Sequence, residues 1–156
     1  MQLSFRPPAL ALSAFLALVA LIALASPGMA QRMVSIASTK EVNMRTGPGT
    51  KYGTDWTLGH GYPLKVIGRQ GKWLKVSDFE NDQGWVYGPL TGNTPMHIVK
   101  VKTANRRRQP TEGSRIVGKV AYGNVLKTLE RRENWVKVQR EGGLRGWIAK
   151  RLLWGW

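Results

Sequence analysis

Cysteine is absent from the 156 residues, which excludes disulfides, thiol nucleophiles and cysteine metal sites. Histidine occurs twice, and His60 and His97 fall on strand or turn positions in different halves. A hydrolase needs a nucleophile, a base and an orienting group converging on one point. No stretch supplies such a set, so no catalytic residue, cofactor or metal ligand is assigned and a non-enzymatic protein is expected. Acids are scarce as well, with 9 Asp+Glu against 24 Lys+Arg. Helical periodicity is missing too, since no apolar period of 3.6 runs through Met33 to Leu90.

What is present begins with an apolar start. Arg6 precedes an Ala, Leu, Val, Ile and Phe run from Ala9 to Ala25, interrupted only by Ser13 and followed by Ser26-Pro27-Gly28-Met29-Ala30. A basic start, an apolar middle and small residues after a helix breaker describe a signal peptide, 1–30, cleaved near Ala30. The alternative is an uncleaved membrane anchor, for which the run falls short of the ~20 residues a span needs. A periplasmic or secreted location is expected. No cysteine follows for lipid attachment.

The charge is lopsided. Residues 31–95 hold 8 basic and 5 acidic residues, a net +3, whereas 96–156 hold 15 and 4, a net +11. Such a field attracts polyanions and anionic surfaces. The secretory start argues against nucleic acid as the partner.

The chain is also one unit written twice. Gly71-Lys72-Trp73-Leu74-Lys75-Val76 running to Gly84-Trp85-Val86 returns as Asn134-Trp135-Val136-Lys137-Val138 running to Gly146-Trp147-Ile148, with both tryptophan pairs 62 positions apart. The offset also pairs Asn43 and Arg45 with Asn105 and Arg107. Two units of about sixty residues each have marginal cores on their own.

Short alternating runs bounded by Gly-rich turns predict strands at 33–37, 41–45, 57–61, 63–69, 72–79 and 84–87, an all-β unit. Thr46-Gly47-Pro48-Gly49-Thr50 forces a turn, and the loop is expected to continue through Tyr52 and Trp56. Thr91 to Pro95 reads as the linker. The second unit is expected to open on a strand over 97–102, to place 104–113 in the loop that replaces the glycine turn, and to continue as strands at 119–122, 125–131, 135–140 and 146–149. The domains are therefore 33–92 and 96–156.

Val42-Asn43-Met44-Arg45-Thr46-Gly47-Pro48-Gly49-Thr50-Lys51-Tyr52, then Gly71-Lys72-Trp73 and then Gly84-Trp85-Val86, resembles the bacterial SH3-like (SH3b) domain. Asn105, Arg107, Trp135 and Gly146-Trp147-Ile148 make the second unit a diverged copy. The mature chain is similar to tandem periplasmic SH3-like proteins of Gram-negative bacteria. The resemblance implies a five-to-six-stranded half-open barrel in each unit. It also implies a binding role toward cell-wall peptide (peptidoglycan) or a protein segment. The alternative is an interaction or scaffold protein of the envelope without wall affinity.

Tyr52, Trp56, Trp73, Tyr87 and Trp135 are the groove candidates, because aromatic rings hold an extended peptide by apolar contact. Arg106, Arg107 and Arg108 are the anion-binding candidates, since guanidinium forks match phosphate or carboxylate oxygens and the triplet stands in a loop that borders the groove in SH3-like folds. Asp78 to Asp82 reads as a solvated hairpin tip, or as a tip docked on the basic second unit. Alternation sets Trp73 and Trp135 opposite Leu74 and Val136, so each ring lines a groove or is buried between the units. The short linker favours the seam for at least one of them.

Overall fold

The computed structural model describes residues 31–156, and the signal peptide assigned to 1–30 lies outside the described residues. The first unit runs β1 (Met33–Ile36), β2 (Val42–Arg45), β3 (Thr54–Leu58), β4 (Pro63–Gln70), β5 (Trp73–Ser77), β6 (Gln83–Tyr87) and β7 (Thr91–Gly92). The second runs β8 (Met96–Val99), β9 (Thr103–Arg107), β10 (Ile116–Ala121), β11 (Val125–Arg131), β12 (Trp135–Gln139), β13 (Arg145–Ala149) and β14 (Leu153–Gly155). Short 3-10 turns at Gly88–Leu90 and Lys150–Leu152 lead into β7 and β14. Among the described residues no helix is long and apolar enough to cross a membrane.

The two sheets repeat one topology. Their orders are β3-β2-β6-β5-β4-β1-β7 and β10-β9-β13-β12-β11-β8-β14, so each strand of the first has its counterpart at the same place in the second. Leu74 and Val76 of β5, and Val136 and Val138 of β12, point into the two barrels because alternate residues of a strand take opposite faces. Nine buried apolar side chains form the first core and eight the second. At about 1.5–3 kcal/mol for each large apolar side chain, such cores are small, and contacts outside them matter.

Several boundaries differ from the sequence expectation. The first sheet and the second each have seven strands rather than five or six. Thr91–Gly92 pairs with β1, so part of the expected linker is the strand that closes the sheet. β3 begins at Thr54, which puts Trp56 on a strand and not in the loop. Thr103–Arg107 is a strand, so the expected loop from Ala104 is confined to the residues after Arg107. β8 ends at Val99, short of the alternating stretch to Lys102. These misses share one cause: short edge and closing strands are held by pairing with distant partners, which local periodicity does not record.

The repeat slips by one residue at the start of the second unit. Val34 pairs with Leu64, whereas His97 pairs with Leu126, an offset of 63 on the first strand and 62 on its partner. The connection from Val99 to Ala104 is one residue shorter than that from Ile36 to Val42. His97 therefore takes the core position of Val34 and is buried, with its Nδ1 2.7 Å from Thr128 Oγ1. Burial pushes its pKa down to about 4, helped by the charges of Arg131 and Lys150 and partly offset by a backbone hydrogen bond to Trp156.

β8 is buried along its whole length. Val99 belongs to the second core, while Met96 lies against Gly61 of the first unit. Ser35 Oγ donates to the Thr94 carbonyl at 2.9 Å, tying β1 to the linker. At the other end of the seam Tyr122 donates its hydroxyl to Glu80, and the Phe79 and Tyr122 rings meet at 5.3 Å. The acidic hairpin tip thus does dock on the second unit, on a tyrosine and not on a cation.

Candidate ligand-binding grooves

Each barrel carries a groove on the side where β5 or β12 meets the loop after β2 or β9. The first has a volume of 550 Å³ and is lined by Glu41, Asn43, Gly49, Thr50, Trp73 and Tyr87 among others. The second, of 910 Å³, includes Thr111, Glu112, Trp135 and Ala149. These four stand 62 positions after Gly49, Thr50, Trp73 and Tyr87. The two grooves are therefore one site repeated, with a tryptophan on the floor of each.

Both tryptophans are half-buried, each on the outward face of its strand. Neither lies in the seam: all the residues lining the Trp73 groove belong to the first unit and all those lining the Trp135 groove to the second. The expected inter-barrel burial is not found: each ring borders a hollow of its own barrel, and the seam is built by β1, β8 and the hairpin tip instead.

The cross-strand neighbours make the grooves unlike. Trp73 stands opposite Tyr87, with ring centroids 5.4 Å apart and planes tilted by 56°. Such a tilted pair presents two adjoining aromatic edges and faces to an extended ligand. Trp135 stands opposite Ala149, so the second groove has one ring; it has the larger volume and is lined by Lys100, Lys150 and Arg151 as well as Glu112 and Glu133.

The groove's other wall is a loop held by an arginine. Arg45 Nη1 donates to the carbonyl of Tyr52 at 2.8 Å, and Arg107 Nη1 donates to that of Ser114 at 2.8 Å, the same bond one repeat later. Arg107 Nη2 also reaches Glu112 Oε2 at 3.4 Å. The chain itself thus satisfies Arg107, which sequence reasoning assigned to anions. Arg106 is a clearer correction: it is 5% exposed, inside the second barrel's wall, and donates to the carbonyls of Arg145 and Val117, both at 3.3 Å. Alternation along β9 turns neighbouring arginines to opposite faces, so the triplet cannot act as one patch. Of the three, Arg108 alone is exposed.

Tyr52 and Trp56 do not line the first groove. Tyr52 packs its ring on Gly47 and Gly49 of its own loop and has Lys51 Nζ 5.3 Å from its centroid, so it shapes the groove's wall from behind. Trp56, 52% exposed, sits on the edge strand β3. The Trp147 ring is buried under Arg132, at 4.7 Å, and Lys137, at 5.8 Å, a cover that its place in the repeat does not reveal.

Asp78, Glu80 and Asp82 bring carboxylate oxygens within 4.8 Å of one another. Asp78 Oδ1 accepts the backbone N–H groups of Glu80 and Asp82, each at 2.9 Å, and Tyr62 donates to its other oxygen at 3.3 Å. Burial pushes the Asp78 carboxyl up, against those two backbone N–H bonds. Glu80 is engaged by Tyr122. These carboxylates hold the hairpin and the seam together. His60 is an exposed turn residue, its Nδ1 3.1 Å from the Ser38 carbonyl oxygen.

The sequence profile of the family described as bacterial SH3 domain matches residues 38–91 and 100–155, one match for each barrel. A Bacillus subtilis protein named for N-acetylmuramoyl-L-alanine amidase, YrvJ, is 25% identical over 131 residues, covering 72% of this chain and 25% of its own. A Staphylococcus aureus protein named for cell wall amidase, LytH, is 32% identical over 90 residues, covering 57% of this chain and 29% of its own. The chain spans little more than a quarter of the length of these relatives. Among solved structures, an NlpC/P60 family protein from Bacillus cereus aligns at 15% identity and a TM-score of 0.37, covering 80% of this chain and 56% of its own.

Proposed function

This chain belongs to the bacterial SH3 domain family, and from that premise we propose that it is a non-catalytic, extracytoplasmic binding protein whose two grooves take cell-wall peptide. One observation carries the reading. A half-buried tryptophan stands at the same repeat position in both barrels, on the floor of a groove whose far wall is stapled by an arginine. A core tryptophan would face inward, and neither ring does. The relatives named as wall amidases point to the same ligand class, and the segments they share with this chain make up about a quarter of their length.

The two grooves do different work in this reading. The first, with Trp73 against Tyr87, holds apolar and backbone portions of an extended peptide. The second, with Trp135 among three cations and two carboxylates, takes a more polar segment that carries charge of both signs. Charge outside the grooves accelerates encounter with an anionic wall and adds less to retention.

Co-sedimentation with purified peptidoglycan across a salt series tests the reading. Exposed charges are screened within about 8 Å at 0.15 M salt. Groove binding keeps most of its strength between low and physiological salt, whereas a steep loss would leave attraction by charge as the whole of the effect.

A second reading, a protein partner in the envelope, is favoured by one feature. The edge strands β3 and β10 expose Trp56, Ile116 and Val117, and an unpaired edge with apolar side chains can add a strand from another chain. Capture of one stoichiometric envelope protein without wall retention would support it.

A further inference from the structure

A further cavity in the first unit shares none of the groove's lining residues. It has a volume of 320 Å³ and is bordered by Arg32, Arg69 and Lys72, by the Gly88–Pro89 turn and by Asn93. The start of the first barrel, the turn between β4 and β5, and the segment leading to the linker meet there. The register explains the meeting: the Val66 N–H donates to the Arg32 carbonyl at 2.8 Å, and the Gly88 N–H to the Lys72 carbonyl at 2.8 Å.

Its charge is one-sided. Among the described residues no carboxylate lines this cavity, and the three ion pairs found all lie in the second unit. Three cations therefore converge in the less basic unit without a counter-charge. Arg69 commits Nε to the Gly71 carbonyl at 3.0 Å, which fixes the guanidinium and leaves its Nη groups to other acceptors. Like charges held around one hollow repel, and an anion placed between them relieves that cost.

We propose that this cavity is a binding site for a phosphoryl group, with Arg32, Arg69 and Lys72 as its ligands and the Asn93 amide as a further donor. Three positive charges suit a dianion better than a single carboxylate. Two guanidinium forks and an ammonium also supply enough donors for the three free oxygens of a phosphomonoester. The second barrel does not repeat the site: Asn134 stands where Lys72 stands, and Pro95 takes the place of Arg32. Lys72 and Gly88 of the cavity are sequence neighbours of Trp73 and Tyr87 of the aromatic groove, although the two hollows share no lining residue.

The test titrates the intact protein with inorganic phosphate and with glycerol 3-phosphate while amide NMR shifts are read at Gly88 and Asn93. Saturable shifts at these residues, weakened about tenfold by Arg69→Gln and separately by Lys72→Gln, support the site, tenfold being the order expected for one charge-assisted bond. Arg115→Gln with Lys119→Gln removes twice the charge of either variant, from the second unit, and leaves the binding unchanged. A parallel arm with phosphatidylcholine vesicles containing phosphatidic acid assigns the source: capture that the same two variants abolish places the phosphate on a lipid, and soluble binding without capture places it on a soluble or polymeric ester. No saturable shift overturns the proposal. So does equal binding of acetate, or an equal loss on removing the second-unit charges, because either would mean a diffuse field and not a site.

Discussion

Arg106 and Gly118 face each other across β9 and β10, in the register that Met44 and Trp56 hold across β2 and β3. The large partner has changed strands. In the first barrel a methionine lies inside and a tryptophan stands opposite it. In the second an arginine lies inside, and a β-carbon on Gly118 would come within 2.5 Å of its Nη2. Gly146 is required for the same reason, as a β-carbon there would come within 2.5 Å of Arg106 Cγ. The Arg106 Nε is buried without a hydrogen-bond partner, and no carboxylate pairs with the guanidinium among the described residues.

Replacing that arginine by the first barrel's residue is therefore expected to help. Arg106→Met removes a buried, unpaired charge and raises stability by about 1 kcal/mol, within the range seen when buried charges give way to apolar side chains. Gly118→Trp alone collides with the guanidinium and destabilises by about 2 kcal/mol or more. The double variant recovers most of the loss, with a coupling of about 1–3 kcal/mol between neighbours in urea unfolding.

His97 makes the second barrel acid-sensitive. Its pKa is depressed to about 4 in the folded protein, against about 6.5 when unfolded, so the unfolded state binds more protons between those values. Stability is fully present above pH 6.5 and falls as pH drops through 4, by about 3 kcal/mol at most. His97→Val with Thr128→Val restores the pair at Val34 and Val66 and flattens the dependence in unfolding curves taken from pH 7 to pH 4.

Tyr122 should matter to the joint and not to the barrels. Its hydrogen bond to Glu80, with the negative charge beside it, pushes the phenol up to about 12. A raised folded value means the contact persists below pH 10 and is lost as pH rises through about 12. Tyr122→Phe removes one late-titrating phenol from the absorbance titration and loosens the angle between the units, read by small-angle scattering or NMR relaxation, while the thermal midpoint stays nearly constant.

Arg45 and Arg107 are expected to govern groove shape. Arg45→Ala frees the Tyr52 carbonyl and costs about 1.5 kcal/mol, the low end of the range for a hydrogen bond to a charged group because this one is exposed. The loss shows as faster amide exchange in residues 46–53 with little change in β4 to β6.

The sequence carried the architecture further than the site. Two tryptophans and a glycine at one offset disclosed the repeat, and alternation around Leu74 and Val136 put Trp73 and Trp135 on the outward face. Which outward surface they met was not legible, because a groove and a seam both ask for an aromatic on that face. Arg106 misled for a related reason: a run of three arginines reads as surface charge, and its burial depends on Gly118 and Gly146, distant in sequence. Trp56 and Tyr52 were placed by composition in a loop, whereas pairing with β2 drew Trp56 to a sheet edge and the loop glycines took up the Tyr52 ring. The meeting of Arg32, Arg69 and Lys72 is not legible in the sequence, since they gather only when the barrel closes.

Retention on purified peptidoglycan at 0.15 M salt, with Trp73→Ala, Trp135→Ala and both together, tests the central claim most directly, provided circular dichroism shows the barrels intact. A groove-floor tryptophan contributes about 2 kcal/mol, so each single variant should bind about thirtyfold more weakly and the double should lose retention altogether. Undiminished binding by the folded double variant would contradict a groove-based function.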